Sequence, residues 1–77
     1  MTPRRFKVVI EWDSEGQEYV VRVPALPGCA THGRTKAEAL ERAREAIEGY
    51  IEALAAIGES VRDDDQEVSV EEVEVYV

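Results

Sequence analysis

From residue 6 the chain alternates. Phe6, Val8, Ile10 and Trp12 are separated by Lys7, Val9 and Glu11, and Asp13 follows. A period of two predicts a half-buried strand. The turn-forming stretch DSEGQ comes next, and then Tyr19, Val21 and Val23 alternate with Glu18, Val20 and Arg22. Two such runs around a short Gly-containing loop predict a β-hairpin with a loop of four or five residues. Pro24 ends the second strand and biases Val23 toward extended backbone. Cys29 to His32 are short and mixed, and they predict a brief third strand.

At Thr35 the period changes. TKAE is a Thr-x-x-Glu capping box, in which Thr35 caps the amide of Glu38 and Glu38 can reach back. Apolar residues then recur at Leu40, Ala43, Ile47, Tyr50 with Ile51, Leu54 and Ile57. Steps of three and four put them on one face of a helix. Glu38 and Arg42 stand four apart on the wet side, in the favourable order. Gly58 follows the last periodic residue as the expected C-terminal cap. The predicted helix has about 22 residues and a length of roughly 33 Å.

VRDDDQE predicts a solvated connection, and VSVEEVEVYV a last strand. Val68 and Val70 are in one phase, whereas Val73, Val75 and Val77 are in the other. A bulge at Glu71–Glu72 would absorb the slip. The predicted order is therefore β-β-β-α-β, an α+β domain over residues 1–77. A helix between the third and last strands favours a right-handed parallel crossover. The expected sheet is mostly antiparallel, ordered 3-2-1-4, with one long helix on one face. Its other face carries Lys7, Val9, Glu11, Val20 and Arg22.

Charge and size narrow the function. The net charge is −8. Eight acids against Arg62 give −7 within residues 59–77, so residues 1–58 carry only −1. Such a chain does not attract phosphates by bulk charge; it suits a basic partner. At 77 residues the core is small, and domains of this size commonly lean on disulfides, metals or association. One Cys and one His supply neither a disulfide nor a four-ligand zinc site, so self-association or a permanent partner is expected. A lone cysteine without a secretory leader fits the cytoplasm. No apolar run approaches the roughly 20 residues of a membrane span.

The candidate chemistry is thin. PALPGCATHGR, residues 24–34, gathers the only Cys, the only His, two prolines and two glycines. Cys29 and His32 are a possible nucleophile and base, but Cys29 lies six residues before the cap with no evident third group, and a free Cys commonly packs as a small apolar residue. The rest of the corner reads as structure: Pro24 ends a strand, Leu26 follows, Pro27–Gly28 turn the chain, and Gly33 leads to Thr35. Asp63–Asp65 lack the alternation and the Gly of a calcium loop. Asp13, Glu18 and Asp63 are the carboxylates a metal-dependent nuclease would need to bring together. Gly28 and Gly33 lack the spacing of a phosphate loop. Trp12 and Tyr19 could stack bases, but without surrounding Lys and Arg they fit cross-strand packing better. A binding protein without cofactor or metal is favoured over an enzyme. A residual nuclease and a self-assembling scaffold remain the alternatives.

One combination of segments adds to this reading. Val-Pro-x-Leu-Pro-Gly-Cys at Val23–Cys29 is followed by Thr-x-Gly-x-Thr at Thr31–Thr35. Glu-Ala-Leu then stands at Glu38–Leu40 and Glu-Ala-Ile at Glu45–Ile47. Together they resemble the HicB-like antitoxin family, over about residues 5 to 58 and more loosely at the last strand. The motif positions are Pro24, Leu26, Pro27, Gly28, Cys29, Gly33, Thr35 and Glu38. The resemblance implies a partial ribonuclease-H-like fold without catalytic acids. It also implies a cytoplasmic antitoxin that neutralises a small basic HicA-type toxin ribonuclease by binding it. It is to a short form without the C-terminal DNA-binding domain of larger members, so no direct nucleic-acid binding is expected. Ala25 and Arg34 stand where many relatives have acids, and RDDDQ replaces a Pro-x-Pro after the helix. The motif defines no toxin-contact residue.

Overall fold

The computed structural model describes residues 3–77. Three antiparallel strands precede one long helix: β1 (Val9–Asp13), β2 (Glu18–Arg22), β3 (Ala30–Gly33) and α1 (Lys36–Ala56). The sheet order is β1-β2-β3, with β2 central. Ile10 pairs with Val21 and Trp12 with Tyr19, while Thr31 sits opposite Val21. Alternation therefore sends Ile10, Trp12, Tyr19, Val21, Thr31 and Gly33 to the face that α1 covers.

The four-residue loop of the β1–β2 hairpin is held locally. Asp13 Oδ1 accepts from the Glu15 amide at 3.1 Å, and Gln17 Nε2 donates to the Ser14 carbonyl at 2.7 Å. The left-handed position falls on Gln17, with φ 54°, and not on the neighbouring Gly16.

The corner between β2 and β3 is two linked turns. The Leu26 amide donates to the Val23 carbonyl and the Cys29 amide to the Leu26 carbonyl, at 3.0 and 2.9 Å. Pro27 and Gly28 are the central residues of the second turn, and Gly28 has φ +81°. Pro followed by a positive-φ Gly is the signature of a type II turn. The Val23 amide closes the corner on the Cys29 carbonyl at 3.0 Å. Val23, Leu26 and Cys29 are buried together, with Phe6, Ala46, Ile47, Tyr50 and Val61 packed against them. Tyr50 pins the helix to this corner by donating its hydroxyl hydrogen to the Pro27 carbonyl at 3.1 Å.

Thr35 caps α1, its Oγ1 accepting from the Glu38 amide at 3.1 Å. The Glu38 carboxylate does not complete the box but pairs with Arg42 at 3.2 Å. At the other end the Gly58 amide donates to the Ala55 carbonyl and the Glu59 amide to the Leu54 carbonyl. With Gly58 at φ +79°, these two bonds form a Schellman motif. The buried stripe keeps the expected Ala43, Ile47, Tyr50, Ile51 and Leu54 but differs at its two ends. Ala39 and Ala43 are fully covered, whereas Leu40 is 47% and Ile57 70% exposed. Small side chains face the sheet because helix and β3 approach closely: a Cβ on Gly33 would lie 2.5 Å from the Ala39 nitrogen.

The expected fourth strand is not formed, and the order 3-2-1-4 is corrected to a three-stranded sheet. Residues 59–77 carry no regular structure, and Val70, Val73, Val75 and Tyr76 stand exposed. The segment instead meets the residues just before β1. Asp64 Oδ2 accepts from the Lys7 amide at 2.6 Å, and Asp64 Oδ1 from the Gln66 amide at 3.0 Å. A side chain thus takes the place of a backbone carbonyl beside β1, and a local Asx turn leads the chain off the edge.

Candidate functional site: the uncovered sheet face

The helix leaves one sheet face open. By the strand register, Glu11, Val20 and His32 form one row across it and Asp13 and Glu18 the next. Val20 is 39% exposed, large for the centre of a sheet. His32 Nδ1 lies 2.7 Å from Glu18 Oε2, a diagonal cross-strand contact. Three carboxylates, an imidazole and an exposed valine therefore share a surface about three strands wide. Trp12 flanks it from the covered side, half exposed and edge-on to Tyr19 with ring centroids 4.9 Å apart.

The residues singled out for chemistry do not converge. Cys29 is buried among Val23 and Leu26, and burial pushes its thiol up from its ordinary value. A thiol held protonated is a poor nucleophile. His32 is exposed and engaged with Glu18, and its carbonyl accepts from Arg42 at 3.4 Å. Asp13 and Glu18 pair across the hairpin, but Asp63 lies 3.5 Å from Arg4. Arg4 precedes β1 and Asp13 ends it, so the strand, about 17 Å at roughly 3.4 Å per residue, separates the two carboxylate groups. Of the Asp63–Asp65 run, Asp63 pairs with Arg4 and Asp64 is held by the Lys7 and Gln66 amides. Those amides, the Lys7 one first, hold the Asp64 carboxyl below its usual range. Among the described residues no three His, Cys, Asp or Glu side chains form a cluster fit for a metal ion, and no helix is long and apolar enough to cross a membrane.

Sequence reasoning placed Glu11, Val20 and Arg22 on the open face but missed His32, whose side depends on how β3 pairs with β2. The only available signal was the alternation of Thr31, His32 and Gly33, too short to assign a phase.

Comparison with known proteins agrees across the chain. The family model described as the HicB_like antitoxin of bacterial toxin-antitoxin system matches residues 6–75. A UPF0150 protein of Thermoplasma acidophilum is 49% identical over 67 residues, covering 86% of this chain and 96% of its own. A UPF0150 protein of Archaeoglobus fulgidus is 42% identical over 71 residues, covering 92% and 94%. Among solved structures, the N-terminal domain of the Burkholderia pseudomallei antitoxin HicB superposes with a TM-score of 0.71 at 35% identity. That match covers 80% of this chain and 72% of the other.

Proposed function

This chain belongs to the HicB-like antitoxin family of bacterial toxin–antitoxin systems, and from that premise we propose that it neutralises a small basic toxin of the HicA type by binding it, without catalysing a reaction. The observation that carries this reading is the family match across residues 6–75. The open sheet face supports it, since Glu11, Asp13 and Glu18 lie on one side of an exposed Val20, with Arg22 on the other. Acids beside an apolar centre suit a basic protein surface, and the net charge of −8, most of it in residues 59–77, draws such a partner toward the chain. The buried thiol and the dispersed carboxylates support a role other than catalysis. The protein works in the cytoplasm, where its one free thiol stays reduced. Its three strands and helix are the core of a partial ribonuclease-H-like fold used as a binding platform. The chain also associates with itself, because a small core and exposed valines leave apolar surface to cover.

Co-expression with the protein encoded beside it tests the reading. A small basic neighbour should co-purify and lose its toxicity. Glu11→Lys with Glu18→Lys should weaken that complex at least tenfold with the fold intact. A neighbour of another kind, with nothing co-purifying, would remove the antitoxin role.

A further inference from the structure

The molecule exposes a sheet edge without a strand and a strand-forming segment without a sheet. β1 is an edge strand of the sheet. The helix lies mainly over β3 and β2, so its flank beside β1 is open. There a groove of about 690 Å³ runs between helix and N-terminal segment, lined by Phe6, Val8, Leu40, Ala43, Ile47 and Ile51. Leu40 is 47% exposed for this reason.

Residues 68–77 are the counterpart. Five valines and a tyrosine fall within VSVEEVEVYV, a composition that fits a pleated, half-buried strand. Val73 and Val75 are 81% and 67% exposed and Val77 fully so. These three share one phase, so a strand here would present them together. Within its own chain the segment is turned off the edge by Asp64, which occupies the Lys7 amide and folds back on Gln66.

We propose that residues 68–77 of one copy add as a strand to the free β1 edge of a second copy, with Val73, Val75 and Val77 seated over its groove. The exchange is reciprocal, since each copy offers both halves, and it closes as a two-fold dimer. It covers the exposed edge and the apolar groove at once. This deepens the self-association reading and rests on it.

Light scattering on the eluting peak of the full chain tests the exchange. The expected mass is twice the 8.6 kDa of one chain. Truncation after Glu67 and the double variant Val73→Asp/Val75→Asp should both give monomers that keep their helical circular dichroism. The double variant guards against misfolding, because both side chains stand largely exposed in the monomer. Leu40→Lys, on the groove side, should also give a monomer. A monomeric full chain would overturn both the exchange and self-association. A dimer that survives the tail variants or Leu40→Lys would leave self-association standing and overturn the exchange.

Discussion

Gly28 and Gly33 are five positions apart in one corner, yet their side chains are excluded for different reasons. Gly28 sits at φ +81° with open space where a Cβ would point. Only backbone strain opposes substitution there, of about 1–3 kcal/mol for a residue without left-handed preference. Gly28→Val should therefore lower stability by that amount, and Gly28→Asn by clearly less, since Asn tolerates the left-handed region. Gly33 is a packing position, because a Cβ would strike the Ala39 backbone at 2.5 Å. Gly33→Ala should cost about 1–3 kcal/mol through overpacking, with no relief from Asn. Urea melts of the four variants would show the contrast; equal losses for Gly28→Val and Gly28→Asn would reject the strain account. Cys29 and His32, also in this corner, are separated by burial: one is a core residue and the other belongs to the open face.

The helix shows how far periodicity carries at the level of an element. Capping and spacing located it to within a residue or two, since Thr35 and Gly58 are local signals. Removing the cap hydroxyl in Thr35→Ala should cost about 1 kcal/mol. The check is a thermal melt followed at the helical signal, and an unchanged midpoint would show that the Glu38 amide finds water instead. Which side of the helix is buried was less legible. Leu40 looked like core alongside Ala43, but Ala39 holds its place. Leucine's hydrophobicity marks the stripe, whereas the short distance to β3 selects the small residues within it.

For the whole molecule, the chain after the helix is tied to the chain before β1. Arg4 donates to the Val61 and Arg62 carbonyls, both at 2.9 Å, and the Lys7 amide donates to Asp64. The Asp64 carboxyl is held below its ordinary range by the Lys7 and Gln66 amides. A group whose folded value is depressed adds stability above its unfolded value, and that stability is lost as pH falls through the folded value. Asp64→Ala should thus melt at lower temperature than the parent at pH 7, with the gap narrowing as the solution is acidified below the normal carboxylate range. A gap that stays constant with pH would show that the carboxylate charge is not what these amides hold.

The sequence by itself determined what depends on near neighbours. Alternation set β1 and β2, the Pro-Gly turn set the corner, and the caps set α1, because strand pleat, turn and helix ends each involve residues a few positions apart. The motif run likewise identified the family. Only the tertiary structure decided what depends on distance in the chain. It placed His32 beside Glu18, put Ala39 and not Leu40 against the sheet, and parted Asp63 from Asp13. It also left the valine-rich segment off β1. Local pattern made VSVEEVEVYV a good strand, but a strand needs an edge to pair with. Whether that edge is within reach depends on contacts far apart in the chain, such as the Asp64 carboxylate meeting the Lys7 amide 57 residues away.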